Sequence, residues 1–125
     1  MSGGRYVVDT NAALYLLRGD ETMIALLTDK TLHLSVITRM ELLSFPGMLK
    51  SDLPRIQAFL DAWPVEPLHE LVEEEAIRLR VNYKLKLPDS IIAATASYLG
   101  IPLVTADRKM ARVEQEIEVI RYEPL

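Results

Sequence analysis

The stretch Leu87-Pro88-Asp89-Ser90-Ile91-Ile92-Ala93-Ala94-Thr95-Ala96 restricts the fold more than any other part of the chain. Pro88 suits the first turn of a helix, where its missing N–H has no partner to lose. Asp89 follows, a negative charge at the positive end of the helix dipole. Ile92, Ala93 and Ala96 lie three, four and seven residues further on and share its face. A face so small and apolar demands close packing against a sheet or a second helix. Asp89 then stands at the end of a buried stripe, where a carboxylate needs a counter-charge, a hydrogen-bond partner or a metal. The plainer alternative is a helix-start acid that stabilises its own N-terminus.

Around this segment short apolar runs alternate with helical ones. Arg5-Tyr6-Val7-Val8 reads as a strand ending at Asp9, and Asp9-Thr10-Asn11 offers N-cap residues to a helix through Leu17. Gly19 stops that helix, and Asp20 opens a second through Leu27. Thr31 to Ser35 alternates as a strand. Val36 to Phe45 reads as a helix closed by Pro46-Gly47. A helix from about Leu53 to Trp63 follows, then a strand at Val65 to Leu68 that Pro67 makes weak or confines to an edge. His69 to about Lys84 is an amphipathic helix, with Leu71, Val72, Ala76, Leu79 and Tyr83 inward. The Asp89 helix closes at Gly100. Pro102-Leu103-Val104-Thr105 is nearly all apolar, as in the middle of a parallel sheet. A short helix from Asp107 to about Val113 and a strand from Ile117 to Tyr122 complete the pattern. This alternation predicts one α/β domain over residues 1–125, with a mainly parallel central sheet flanked by helices.

Composition narrows the function. The chain has no cysteine, which excludes disulfides and thiolate metal sites and agrees with a cytoplasmic setting. No signal-peptide pattern opens it, and no apolar run is long enough to span a bilayer. The net charge of −4 argues against chain-wide attraction to nucleic acid, so such binding needs a local basic patch or bound cations.

Four acids recur at equivalent places. Asp9 and Asp107 each follow the carboxyl end of a strand, where ligand sites of open parallel sheets gather. Glu41 interrupts an apolar helical row between Ile37 and Phe45, and Asp89 does the same on its own helix. Each taken alone has a structural alternative, an N-cap or an acid reaching water. Together they compose an all-oxygen set that suits Mg²⁺ or Mn²⁺ better than zinc.

The segments Val7-Val8-Asp9-Thr10-Asn11, Ser35-Val36-Ile37-Thr38-Arg39-Met40-Glu41-Leu42-Leu43-Ser44, Leu87 to Ala96 and Leu103-Val104-Thr105-Ala106-Asp107 carry a resemblance. In this order and spacing the chain resembles the PIN-domain ribonucleases, most closely the small VapC-type toxins of toxin–antitoxin pairs. The resemblance implies that Asp9, Glu41, Asp89 and Asp107 are catalytic and hold one or two divalent ions, Mg²⁺ or Mn²⁺. Thr10, Asn11 and Thr105 would then support the ligands or position water. It further implies hydrolysis of RNA to a 5′-phosphate and a 3′-hydroxyl, and a small antitoxin whose basic side chain enters the acid cluster. Two positions depart from the family pattern: Met110 stands where many relatives have an aromatic, and Lys84 where many have Gly. Neither removes an acid.

Arg39, Arg80, Lys84, Lys86, Arg108 and Lys109 lie near the acids in sequence and are candidates for RNA phosphate contacts, with solvated surface charge as the alternative for each. His33, inside a strand, and His69, at a helix start, are expected to be structural or surface residues. Tyr15, Tyr83 and Tyr98 are expected in the core or a dimer contact. Leu14, Leu17, Phe59, Leu60 and Trp63 make an apolar excess that predicts a homodimer and a groove for the antitoxin. Two other functions stay open: a nuclease of RNA maturation or quality control, and a PIN module that binds without cleaving. The intact acids weigh against the last.

Overall fold

The computed structural model describes residues 4–123. The segment Met1-Ser2-Gly3, part of the stretch without a signal-peptide pattern, lies outside them. Among the described residues five strands form one sheet: β1 (Arg5–Val8), β2 (Thr31–Ser35), β3 (Val65–Glu66), β4 (Leu103–Thr105) and β5 (Val119–Arg121). Their order is β3-β2-β1-β4-β5, and every neighbouring pair is parallel. The chain builds outward from β1 through β2 to β3, then returns to place β4 on the other side of β1. The crevice beyond the carboxyl ends of β1 and β4 is therefore the topological switch point. β3 has two residues and lies at the edge, as Pro67 requires.

Among the described residues six α-helices cover the sheet: α1 (Thr10–Leu17), α2 (Glu21–Leu27), α3 (Val36–Leu42), α4 (Leu53–Ala62), α5 (Glu70–Tyr83) and α6 (Leu87–Leu99). Strand alternation sends neighbouring residues to opposite faces. Val7 and Leu103 pack with Val72, Ala76 and Leu79 of α5 and Ile92, Ala93 and Ala96 of α6. Val8 and Val104 pack on the other face with Ala12, Ala13, Met23, Leu42, Ile56 and Leu60. The small face of α6 is wholly buried, which is the close packing its sequence demands.

Several boundaries differ from expectation. α3 stops at Leu42, not Phe45. Pro46 disfavours helical backbone at Phe45, and Ser44 N–H already turns to the Glu41 carbonyl three residues back. The segment after Asp107 is a 3₁₀ helix, Arg108–Val113, and the last strand keeps only Val119–Arg121 because Ile117 N–H closes a turn onto Val113. Leu71, expected inward, is 58% exposed: it lies one step around α5 from the buried row Val72, Ala76, Leu79. Met110 is buried among the α5/α6 packing, so the missing aromatic is a core substitution. Lys84 holds a left-handed backbone (φ 56°) just past α5, the conformation for which Gly is the natural choice.

Candidate functional site

Each acid is placed by the end or turn of an element. Asp9 leaves β1 and caps α1, with Oδ1 accepting Ala12 N–H at 2.8 Å. Its other oxygen accepts the hydroxyl of Thr105, the last residue of β4. Thr105 Oγ1 in turn accepts Asp107 N–H at 2.9 Å. Asp107 caps the 3₁₀ segment through Lys109 N–H, also at 2.9 Å. Glu41 sits on the penultimate residue of α3, and its Oε1 lies 2.5 Å from Thr10 Oγ1. Thr10 Oγ1 is 3.2 Å from Thr38 Oγ1. Asp89 occupies the first turn of α6 and accepts no side-chain or backbone hydrogen bond from the described residues.

All four acids line one pocket of about 350 Å³, together with Thr10, Asn11, Leu14, Ser44, Phe45, Pro46 and Ile92. Asp9 is buried; Glu41, Asp89 and Asp107 are half-buried. Burial pushes the Asp9 carboxyl up to about 6, the charges of Asp107 and Asp89 push the same way, and the Thr105 and Ala12 hydrogen bonds oppose them. Burial likewise raises Asp89, with the charges of Asp107 and Glu41 behind it and those of Lys86 and Lys109 against it. The pocket is thus a place short of positive charge.

Among the described residues no three His, Cys, Asp or Glu side chains stand close enough together to grip one ion as they are placed. Asp9, Glu41 and Asp107 are held by donors of the chain itself. The donor chemistry nevertheless fits a hard divalent cation: the acids offer only oxygens, and their mutual repulsion is what such an ion relieves.

The six expected phosphate contacts are all exposed, and none lines the pocket. Lys86 and Lys109 are near enough for their charges to act on Asp89. Arg39, Arg80, Lys84 and Arg108 show no comparable link to an acid, although the Lys84 carbonyl accepts a bond from Arg112. His33 accepts from Arg5 Nε at 3.0 Å, and His69 precedes α5 and pairs with Glu66. Both lie away from the pocket lining. Tyr15 stacks edge-on with Tyr122 in the core, Tyr83 bonds Glu116, and Tyr98 is exposed beside His69.

A second groove, of about 200 Å³, is lined by Leu14, Leu17, Arg18, Phe45, Asp52, Arg55 and Ile56. It shares Leu14 and Phe45 with the acid pocket. Leu60 is buried, and Phe59 and Trp63 pack partly against the core without lining the groove, so the apolar excess is smaller than expected. Two contributors to the site were missed in the sequence. Ser44-Phe45-Pro46 passes for a helix end, and Thr38 for an ordinary helical residue. The Phe45-Pro46 breaker was the one available signal.

The PIN domain family matches residues 6–116 of the chain. Among solved structures, a toxin–antitoxin complex from Klebsiella pneumoniae superposes with a TM-score of 0.82 at 27% identity, over 95% of this chain and 99% of that one. VapBC2 from Rickettsia felis, bound to a DNA fragment from its promoter, gives 0.78 at 18% identity, over 95% and 99%. VapBC-5 from Mycobacterium tuberculosis gives 0.71 at 23% identity, over 98% and 100%. The last two likenesses speak for the fold alone. No curated protein matches the chain. No described helix is long and apolar enough to cross a membrane. With its acids at the switch point of an all-parallel sheet and its sequence matched over nearly its whole length, the chain belongs to the PIN domain family, a family of nucleases.

Proposed function

We propose that this chain is a divalent-metal-dependent endoribonuclease and the toxin of a toxin–antitoxin pair, acting in the cytoplasm. The observation that carries the reading is the gathering of Asp9, Glu41, Asp89 and Asp107 on one pocket at the switch point of the sheet. These four would hold Mg²⁺ or Mn²⁺. When bound, the cation supplies an acidified water near neutral pH and positive charge against the phosphate oxygens.

The chain's own residues prepare the site. Thr105 and Ala12 N–H keep Asp9 facing the pocket, and Thr10 holds Glu41. Asn11, exposed on the rim, is placed to position water. Ile92, Leu14 and Phe45 wall the acids with apolar surface, which strengthens every charge interaction inside. Lys86 and Lys109 are the best placed of the basic residues to receive the phosphates of RNA. The product would be a 5′-phosphate and a 3′-hydroxyl.

The groove of Leu14, Leu17, Phe45 and Ile56 is the proposed seat of an antitoxin segment, and the protein is proposed to act as a homodimer. The 27%-identical toxin–antitoxin complex supports a partner of this kind. The test is a panel of RNAs incubated with Mg²⁺, with Mn²⁺ and with EDTA, beside Asp9→Asn, Glu41→Gln and Asp89→Asn. Cleavage that needs the ion and disappears in all three variants is expected. Equal cleavage by Asp9→Asn would overturn the mechanism. A short reading frame directly upstream would favour a toxin over an RNA-maturation enzyme.

A further inference from the structure

The hydroxyl groups behind Glu41 carry an inference that rests on the metal-dependent reading above. Thr38 lies three residues before Glu41 on α3, and its side chain is wholly buried. A helical hydroxyl ordinarily donates to the carbonyl four residues back. Thr28, Ser44 and Thr95 all do so in this protein, to Ile24, Met40 and Ile91. Thr38 does not. Its one partner among the described residues is Thr10 Oγ1, on the neighbouring helix.

The protons can then be assigned by counting. A threonine hydroxyl has one proton, and a carboxylate only accepts. Thr10 lies 2.5 Å from Glu41 Oε1 and 3.2 Å from Thr38 Oγ1, so its single proton goes to the nearer, charged acceptor. Thr10 is left with lone pairs toward Thr38, and Thr38 must donate. Were the chain reversed, Glu41 would face a bare oxygen at hydrogen-bond distance, with nothing to offset the repulsion. The direction is therefore Thr38 to Thr10 to Glu41.

We propose that Thr38 is a positioning residue for Glu41: acting through Thr10, it holds the carboxylate in one rotamer on the acid pocket, ready to serve as a ligand of a divalent cation. Thr38→Val keeps the branched shape and removes the donor, whereas Thr38→Ser keeps it. Three-bond NMR couplings across Glu41 χ1 in the metal-free protein read the rotamer directly. A single rotamer is expected in the parent and in Thr38→Ser, and averaging in Thr38→Val. Titration with Mn²⁺, without RNA, should show about a tenfold loss of affinity in Thr38→Val, the usual effect of removing an outer partner of a metal ligand. Thr38→Ser should restore it. In a Glu41→Gln background the same Val substitution should have no further effect. A fixed Glu41 rotamer in Thr38→Val would overturn the proposal, as would an equal loss of Mn²⁺ affinity in both backgrounds. If Thr38→Val fails to fold, Thr10→Val breaks the middle link, and an unaveraged Glu41 there overturns it equally. If the parent itself binds no Mn²⁺, the metal-dependent reading falls, and the couplings alone decide the relay.

Discussion

Thr105 and Asp9 are joined by a hydrogen bond across 96 residues of chain. The Thr105 hydroxyl donates to Asp9 and accepts Asp107 N–H, so the backbone of the last acid aims the proton held against the first. Thr105→Val removes both roles at nearly constant shape. Mn²⁺ affinity should fall by about 10- to 100-fold, and Thr105→Ser should recover most of it. Calorimetric titration checks this, and unchanged affinity in the Val variant would show that Asp9 needs no such support.

The raised pKa of Asp9 makes a signed prediction for the protein in EDTA. Its carboxyl binds a proton more tightly in the fold, with a value of about 6, than in the unfolded chain, at 3.8. That contribution to stability is fully present below 3.8 and is lost as pH rises through about 6. A shift of this size corresponds to about 3 kcal/mol. Asp89 is shifted in the same direction. Glu75 and Glu116, held low chiefly by Arg78, act oppositely and lose their contribution as pH falls. Subtracting the Asp9→Asn curve isolates Asp9. Urea unfolding across this range should show the parent falling more steeply with rising pH than the variant; parallel curves would refute the assignment.

Asp89→Asn separates a charge cluster from four unrelated caps. Burial and the charges of Asp107 and Glu41 oppose its ionisation, and no hydrogen bond from the described residues compensates. The variant should therefore melt higher than the parent in EDTA. Saturating Mn²⁺ should raise the parent by several degrees, since an ion at about one hundred times its Kd adds roughly 2.7 kcal/mol. Asp89→Asn should lose most of that response. An ordinary helix-start acid predicts the reverse, a lower melting point in EDTA and no Mn²⁺ effect in either protein.

Lys84→Gly should stabilise the protein. Lys84 holds φ 56° with an exposed side chain, and its structural contributions come from the backbone, which glycine keeps. Relief of the left-handed penalty is worth about 1 kcal/mol. A thermal melt that fails to rise would mean that the Lys84 side chain offsets that penalty by contacts of its own.

The alternation of strands and helices was legible because each burial demand was local: a nearly all-apolar β4, a small-residue face on α6, an edge proline after β3. Asp9 and Asp107 were legible as acids at strand ends, and Glu41 and Asp89 as charges set in apolar helical rows; all four line one pocket. What escaped was set by contact across the chain. Leu42, Leu43 and Phe45 continue a helical apolar row, yet Pro46 ends the helix early and turns Phe45 into pocket wall. Thr38 carries no periodic signal, because its partner lies 28 residues away. Lys86 and Lys109 could not be told from Arg39 or Arg80 by nearness in sequence, since the side of α6 and of the 3₁₀ segment decides which charges reach Asp89.

The strand order has a consequence for biosynthesis. Asp9 is made before the other three acids, and the strand that brings Thr105 and Asp107 beside it, the fourth of the five described, docks on the side of β1 left open by β2 and β3. A growing polypeptide can assemble α1 to α5 around three strands and still hold only Asp9 and Glu41 of the acid set. Long-range pairing of this kind closes late. The complete pocket therefore comes into being only once β4 has been made and has docked on β1, and a truncated product that stops before β4 lacks Thr105 and Asp107.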